Sequence, residues 1–178
     1  MRKIALGLIA IGIGLTVAGV SLRSAAWNGQ EEAKERWSSE IPAREGESDL
    51  AFRLSFPSEE KDFIVMEEGS RDNLLRGPVR IEWSGAPGSG NCIIAAHRDT
   101  HFRCLKDLGV GEQVIVRHRG RTYRYQIVKL KVVSQSDTAF YGVTSKPVLT
   151  LVTCYPFSYL GSAPQRYIVR AELMETNG

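Results

Sequence analysis

The sequence predicts a mostly β protein, a closed barrel of eight strands with short helical turns, preceded by an N-terminal transmembrane helix. From residue 51 onward, short apolar and β-branched runs alternate with clusters of turn residues, and helical patterns are brief. A closed barrel removes the exposed edges that so many strands leave in an open sheet. An uncharged apolar run near the N-terminus predicts the helix.

The N-terminal segment predicts the location of the protein. Residues 4–22 are nineteen uncharged residues, enough for about 28 Å of helix at 1.5 Å per residue. Arg2 and Lys3 precede them and favour a cytoplasmic N-terminus. We therefore expect a single-pass protein of the cell membrane whose main domain is extracytoplasmic, at the cell surface or in the periplasm. A cleaved signal peptide is the alternative, although the apolar run exceeds a usual signal core and Arg23 lies in the cleavage region.

Three parts follow from this pattern. Residues 1–23 are the membrane anchor or signal peptide, residues 24–50 a polar juxtamembrane spacer, and residues 51–178 the folded domain. In the spacer, residues 30–37 have a helical composition, and Ile41-Pro42 ends that helix. The net charge of +3 is small and the basic residues are scattered, which does not favour nucleic-acid binding.

Turn residues separate the predicted strands of the barrel. Short helical turns are predicted near residues 70–75 and 100–108, and residues 117–121 form the basic tip of a hairpin. The Gly-rich residues 85–90 form a turn loop, because they lack a lysine and lead into a strand rather than a helix. The predicted strands cover residues 51–56, 62–67, 79–83, 91–96, 113–117, 122–133, 148–153 and 167–174.

Three side chains at strand ends form a candidate active site. Cys154 follows His97 by 57 positions and precedes Arg166 by 12. A Cys thiolate attacks a carbonyl, an imidazolium protonates the leaving amine, and an Arg stabilises the oxyanion that forms in between. With ordinary pKa values of about 8.5 for Cys and 6.5 for His, neither group is fully reactive alone at neutral pH. The chemistry therefore requires that the three residues meet in one site.

Around these residues the chain resembles the sortases, the cysteine transpeptidases of bacterial cell surfaces. Thr150-Leu151-Val152-Thr153-Cys154 matches their Thr-Leu-x-Thr-Cys signature, and Arg166 falls where their active-site arginine follows. The run His97-Arg98-Asp99-Thr100-His101-Phe102 is similar to that of class D-like and Gram-negative sortases. The similarity extends over roughly residues 52–173. Ala96 departs from the pattern, because glycine usually precedes the family's histidine.

The resemblance implies a sortase-type β-barrel and a cysteine transpeptidase. Such an enzyme cleaves a C-terminal sorting motif of the Leu-Pro-x-Thr-Gly type in secreted proteins through a thioester on Cys154, and transfers the acyl group to a cell-envelope amine. His97 is then the acid and base and Arg166 the oxyanion donor. The expected partners are proteins with a sorting signal, an acceptor such as a peptidoglycan precursor peptide, and the membrane. No cofactor, metal or nucleic acid is expected.

Ala95, Val152 and Thr153 are the candidate substrate-binding residues. Side chains two positions apart share a face of a strand, so Ala95 lies on the face of His97 and Val152 on that of Cys154. Thr153 lies on the opposite face, and we expect it to shape the strand end rather than to contact the substrate directly.

Other interpretations remain open. A hydrolytic sortase-like peptidase and a non-catalytic barrel that binds sorting peptides both fit the same motifs. Papain-like enzymes place Cys before His, and the Gln-Ala-Cys-x-Gly signature of caspases is absent. His101 has the i+4 spacing of a helical metal pair with His97, but His97 ends a strand and no third ligand has matching spacing. Cys92 and Cys104 are interpreted as buried thiols, with a disulfide between them as the alternative.

Overall fold

A computed structural model describes residues 2–39 and 50–177 of the chain. Its strands close a barrel in the order β1-β2-β3-β4-β7-β8-β6-β5, with β5 paired back to β1. This confirms the closed barrel of eight strands that the sequence predicts. The strands are β1 (Leu50–Phe56), β2 (Lys61–Met66), β3 (Val79–Arg80), β4 (Asn91–Ala95), β5 (Gln113–His118), β6 (Arg121–Ser134), β7 (Val148–Tyr155) and β8 (Gln165–Asn177).

Helices account for little of the domain. Among the described residues they are α1 (Arg2–Ser39), α2 (Arg71–Arg76) and short 3₁₀ turns at Pro57–Glu59, His101–Lys106 and Ala139–Tyr141. The helical turns predicted near residues 70–75 and 100–108 are thus present. Across the described parts of the chain, no helix is both long enough and apolar enough to cross a membrane.

The strands near the candidate site have two apolar faces. Interior side chains fill the barrel, and those from the site strands are Cys92 and Ile94 on β4 with Ala96 directly after it, Leu149 and Leu151 on β7, and Val169 and Ala171 on β8. A second group packs on the outside of the same strands, and we call it the outer-face cluster. It consists of Ile93, Val133, Phe140, Val152 and Ile168. Because both faces are covered, β4 and β7 are continuous apolar runs, as is typical of parallel pairs.

β3 is shorter than the sequence predicts, two residues instead of five. The chain turns directly after it, because the Arg80 guanidinium donates to the carbonyls of Ile81, Glu82 and Ser84 at 3.3, 3.2 and 2.9 Å. The turn carries Trp83 out of the sheet, where its side chain is 66% exposed. A side-chain interaction of this kind leaves no trace in apolar periodicity.

A bulge in β6 changes which side chains face outward. The register between β6 and β8 shifts between Ile127 and Lys129, so Val128 is the extra residue. Before the bulge, Ile127 points into the barrel. After it, Leu130 packs on the interior and Val133 belongs to the outer-face cluster. Lys129 and Lys131 share the strand face of Val133 and therefore lie on the outside.

The C-terminal half of α1 packs against the barrel. Ala26 and Ala33 are buried, and Gln30 is only 5% exposed. The Gln30 carboxamide accepts from the Ile64 amide at 2.9 Å and donates to the carbonyls of Ile64 and Arg76 at 3.1 and 3.2 Å. β3 reaches β2 only at Met66, so Gln30 occupies the edge of β2 that β3 leaves uncovered.

This docked part of α1 lies inside the segment predicted as a polar spacer, residues 24–50. Gly29 and Gly77 allow the close approach, because a Cβ on Gly29 would lie 2.9 Å from the Arg76 Cβ and one on Gly77 would collide with the Gln30 carboxamide. The predicted helix end at Ile41-Pro42 lies outside the described residues. The three-part division of the chain stays a prediction.

Replacing Gln30 with Ala tests this docking. We expect Gln30→Ala to lower the free energy of unfolding by about 1–3 kcal/mol, because it leaves the buried Ile64 amide and carbonyl without that partner. Hydrogen exchange at the Ile64 amide should accelerate in the same variant. Denaturant unfolding and exchange measured by NMR check both effects. Glu35→Ala, at an exposed position of α1, is the matched control and should change neither. An unchanged Ile64 exchange rate in Gln30→Ala contradicts the docking.

Candidate active site

The three candidate residues lie at neighbouring strand ends. Cys154 on β7 is directly opposite Arg166 on β8 in the antiparallel register, so their side chains share a face. β4 runs parallel to β7 with Ala95 opposite Val152. His97 lies two residues beyond Ala95, as Cys154 lies two beyond Val152. Neighbouring strands lie about 4.8 Å apart, so this register, continued two residues past the end of β4, places His97 level with Cys154.

Thr153 extends the junction between β4 and β7 beyond the last residue of β4. Its hydroxyl donates to the Ala96 carbonyl at 2.7 Å, and the Ala96 amide donates to the Val152 carbonyl at 3.2 Å. Thr153 is only 2% exposed. The hydroxyl therefore fixes the backbone next to His97, and its side chain offers almost no surface for a direct contact with a substrate.

Ala96, the departure from the family pattern, does not change the outer face. Its methyl group belongs to the interior core cluster and the residue is 6% exposed. Since neighbouring strand positions point to opposite faces, this methyl group lies on the opposite side of the strand from Ala95. The extra carbon fills the barrel rather than the region between His97 and Cys154.

The Arg166 guanidinium is held in place by backbone. Its Nη1 donates to the carbonyls of Ala163 and Gln165 at 3.1 and 2.9 Å. Among the described residues, no carboxylate forms an ion pair with it. Burial raises the pKa of Tyr141, and the positive charge of Arg166 opposes that shift, which indicates that the phenol lies near the guanidinium. A fixed cation without a carboxylate partner suits the stabilisation of an oxyanion.

The three cysteines differ in burial. All are free thiols, so the interpretation of Cys92 and Cys104 as buried thiols is confirmed over the disulfide. Burial raises the pKa of both to about 12, which keeps them protonated at neutral pH. Cys154 is half-buried. It is therefore the thiol that a reagent or a substrate reaches most readily.

A buried polar pair holds the loop between β6 and β7. The Thr150 hydroxyl donates to Asn91 Oδ1 at 2.6 Å, and Asn91 Nδ2 donates to the carbonyls of Phe140 and Gly142, both at 2.9 Å. The loop carries Tyr141, whose ring packs edge-on against Trp83 at 5.4 Å between centroids. Thr150, the first residue of the signature, thus positions a wall of the site. Sequence reasoning missed the role of Asn91, although a polar residue at the start of a buried strand was the available signal.

Arg98 joins the two loops that flank the candidate residues. It follows His97 directly, and its Nη2 donates to the carbonyls of Tyr159 and Gly161 at 2.8 and 3.3 Å. Its guanidinium also lies 5.8 Å from the centre of the Tyr159 ring, within cation–π range. Tyr159 and Gly161 belong to the loop between Cys154 and Arg166. Sequence reasoning assigned no role to Arg98, because a single exposed-looking cation next to a histidine carries no signal of its distant partner.

The substrate-binding candidates Ala95 and Val152 lie side by side but have different surroundings. Val152 is 6% exposed and packs within the outer-face cluster. Ala95 is half-buried and packs against the group under α1 that contains Ile64 and Met66. Val152 therefore supports the floor beneath Cys154, and Ala95 is the more accessible of the two.

His101 packs between the histidine loop and α1. Its Nδ1 lies 3.3 Å from the Thr100 hydroxyl, and its Nε2 lies 3.4 Å from the Ala26 carbonyl, which can only accept. The ring stacks edge-on against Phe63. A cavity of about 620 Å³ lies beside it, lined by α1, the start of β2 and residues 99–107. Neither Cys154, His97 nor Arg166 lines that cavity, so it is separate from the candidate active site.

The fold and the site together define a class. This is a closed β-barrel in which a cysteine, a histidine and an arginine occupy three neighbouring strand ends. Residues 54–174 match the sequence model of the family described as Sortase domain. Because that match covers most of the chain, the protein belongs to the sortase family.

Individual relatives agree with this assignment. The chain is 36% identical over 118 residues to Sortase D of Bacillus subtilis (strain 168), and the match covers 65% of this chain and 60% of that relative. A Clostridium perfringens Sortase D5 transpeptidase has the same fold, with a TM-score of 0.67 and 24% identity over 85% of this chain and 99% of the other. Sortase A of Listeria monocytogenes has a TM-score of 0.67 and 20% identity over 72% and 90% of the two chains. The resemblance to sortases, class D members included, is confirmed.

Replacing Arg98 tests its link between the two loops. We expect Arg98→Gln to accelerate backbone hydrogen exchange in residues 156–164, because the loop loses two carbonyl contacts and the stack on Tyr159. Exchange followed by mass spectrometry checks this. Arg103→Gln, an exposed position in the same connecting segment, is the control and should leave those residues unchanged. Equal exchange in all three proteins would mean that Arg98 does not hold the loop.

His101 predicts a pH dependence of stability. Burial lowers the pKa of His101, so the unfolded chain binds a proton there more readily than the folded protein does. The free energy of unfolding should therefore fall as the pH drops below about 6.5. Denaturant unfolding at pH 7.5, 6.5 and 5.5 measures the slope. His101→Gln keeps a hydrogen-bond donor for the Ala26 carbonyl but has no group that titrates, so it should flatten the slope of the free energy of unfolding against pH.

His118→Gln is the comparison for this slope. Burial also lowers the pKa of His118, so its replacement should remove a separate part of the pH dependence. A slope in His101→Gln equal to that of the unmodified protein contradicts the assignment to His101.

Proposed function

We propose that this protein is a cysteine transpeptidase that cleaves a C-terminal sorting motif and transfers the new acyl group to an amine. The observation that carries the proposal is the cross-strand pair of Cys154 and Arg166, with His97 at the adjacent strand end. It lies inside the region that matches the sortase domain. The motif is of the Leu-Pro-x-Thr-Gly type by resemblance to the family.

The first half-reaction forms a thioester. The Cys154 thiolate attacks the carbonyl carbon of the scissile peptide bond, and the carbonyl oxygen becomes an oxyanion that accepts hydrogen bonds from Arg166. The carbon–nitrogen bond then breaks, and His97 gives its proton to the leaving amine. Arg166 suits this role because its Nη1 is held by two carbonyls, so little reorganisation is needed when the charge develops.

The second half-reaction transfers the acyl group. An incoming amine attacks the thioester carbonyl and loses a proton to His97, and the carbon–sulfur bond breaks to regenerate the Cys154 thiolate. Water in place of the amine gives an acid instead. Transfer and hydrolysis therefore share every residue of the site, and access of the acceptor decides between them.

Membrane anchoring and location are part of the proposal. The uncharged residues 4–22 and the preceding Arg2 and Lys3 support an N-terminal anchor with an extracytoplasmic barrel. α1 is one helix from Arg2 to Ser39 and docks on the barrel from Ala26 onward. Four residues of helix rise about 6 Å, so an anchor that ends at residue 22 places the barrel close to the membrane surface. Secreted proteins with a sorting signal and a cell-envelope amine, such as a peptidoglycan precursor peptide, are the proposed partners.

Mass spectrometry of the full chain with sorting-motif peptides tests the chemistry. We expect a covalent adduct on Cys154 and, with an added amine, an amine-capped product. Arg166→Gln should lower the rate of adduct formation by about 10²–10³, the usual effect of losing one oxyanion donor. Cys104→Ala is the control for the thiol, because Cys104 is buried. This variant should still form the adduct on Cys154.

The outcomes of this experiment separate the alternatives. Adduct and product that are both lost in Cys154→Ala establish transpeptidation and identify the motif. An adduct that yields only the acid indicates a hydrolase. Peptide binding without any adduct across a broad peptide set contradicts the enzymatic function and leaves a peptide-binding barrel.

A further inference from the structure

Three cations surround a recess on the outer face of the barrel, beside the candidate site. Lys129 and Lys131 on β6 and Arg170 on β8 line a cavity of about 200 Å³. Its apolar lining comes from the outer-face cluster and includes Val133, Phe140 and Ile168. A recess with an apolar lining and cations around it suits an anionic group on an aliphatic stem.

The bulge at Val128 creates this arrangement. It shifts the register so that Lys129 lies directly opposite Arg170 and Lys131 opposite Ile168. Without the extra residue, the alternation that places Ile127 inside would also turn Lys129 and Lys131 toward the core. Like charges directly opposite each other destabilise a sheet, so the pair of Lys129 and Arg170 costs stability unless an anion lies between them.

Among the described residues, no ion pair neutralises these cations. Within the described residues, neither Lys129, Lys131 nor Arg170 forms an ion pair or a side-chain hydrogen bond. Asp137 is the carboxylate among the lining residues, and its Oδ1 accepts from the Ala139 amide at 3.0 Å. Glu172 shares the strand face of Arg170, but it lies two residues further from the candidate site and does not line the recess. The recess therefore carries a net positive charge.

The recess lies next to the candidate site on the same face of the sheet, although none of the three candidate residues lines it. Val133, Arg166 and Cys154 lie opposite one another on neighbouring strands and form a row across the sheet. The next row runs from Lys131 through Ile168 to Val152. Successive rows on one face are about 7 Å apart and neighbouring strands about 4.8 Å apart, so the cations, one or two rows and one or two strands away, lie about 12–16 Å from Cys154. An extended peptide covers that distance in about four or five residues.

We propose that Lys129, Lys131 and Arg170 bind a carboxylate of a peptide substrate whose reacting group lies at Cys154. This inference rests on the proposed function, and it adds that a donor or acceptor peptide carries an acidic group about four or five residues from the reacting atom. A peptide side chain fits better than a membrane surface. The site is a recess of about 200 Å³, the size for a single side chain, and its lining continues beneath Cys154.

Matched acidic and neutral peptides test the inference. Donor peptides carry Glu or Gln at each position on either side of the scissile bond, and acceptor amines carry a free or an amidated carboxyl group. The ratio of kcat/KM for Glu over Gln should reach about five- to tenfold at one position, the size expected of two or three partly exposed charge pairs. The double variant Lys129→Gln and Lys131→Gln should bring that ratio close to one while the neutral peptide reacts as before. The preference should also shrink as salt is added.

Control variants separate charge from folding. Arg170→Gln is a second, single change in case the double variant does not fold, as judged by its thermal unfolding. Lys61→Gln, an exposed position on β2 outside the recess, makes the same charge change and should keep the preference. Equal Glu-to-Gln ratios in the unmodified protein and in the recess variants overturn the inference.

Binding to Cys154→Ala separates this inference from the proposed function. If no peptide reacts but an acidic peptide still binds that variant more tightly than its neutral match, and the recess changes remove the difference, the proposed function fails and the carboxylate site stands. Equal binding of every acidic and neutral pair overturns the inference whatever the activity. Recess variants that lose binding to anionic lipid vesicles, with peptide preference unchanged, would assign the cations to a membrane and also overturn it.

Discussion

The parallel pairing of β4 with β7 determines the geometry on which the candidate site depends. Its register aligns Ala95 with Val152, and the side chain of Thr153 continues the contact to the Ala96 carbonyl after β4 has ended. This pairing brings together His97 and Cys154, which are 57 positions apart in the sequence. The buried bond between Thr150 and Asn91 fixes the other end of the same pair of strands. Thr150 and Thr153 therefore each hold one end of this strand pair together. Among the signature residues, the reactive atom is the sulfur of Cys154.

The same pairing separates the core from the chemistry. Residues that alternate inward fill the barrel, while Cys154, Arg166 and the outer-face cluster share the opposite side of the sheet. The polar groups on the inner side, such as the Tyr125 and Thr153 hydroxyls, are hydrogen-bonded, and Cys154 and Arg166 lie on the ends of rigid strands. The bulge at Val128 extends this division into β6, because it directs Lys129 and Lys131 to the face that carries Arg166. Charge and reactivity thus share the outer face with the apolar outer-face cluster.

Apolar periodicity was sufficient to predict the strands, and motif spacing indicated the candidate residues, whose roles stay a prediction. Each predicted strand is present, and Cys154, His97 and Arg166 lie at neighbouring strand ends as their positions suggested. The features that sequence reasoning missed arise from single side chains that reach across the fold. Arg80 shortens β3, Gln30 completes the edge of β2, and Arg98 reaches Tyr159, 61 positions away. Such contacts do not recur at regular intervals along the sequence, so periodicity does not predict them. A glutamine or arginine in a polar stretch predicts only an exposed side chain until its partner is known.

The loops around the site are held by the side chains of Asn91 and Arg98, which points to these loops as the place where substrate preference is controlled. The loop between β6 and β7 depends on the Asn91 carboxamide, and the loop between β7 and β8 is joined to the histidine segment by Arg98. Each contact originates next to a strand end, at the start of β4 or just after it. A change in either loop can therefore alter the walls of the candidate site without moving Cys154 or Arg166. Because the reacting groups and the walls are held by different bonds, the chemistry can stay constant while the peptide that reaches it varies.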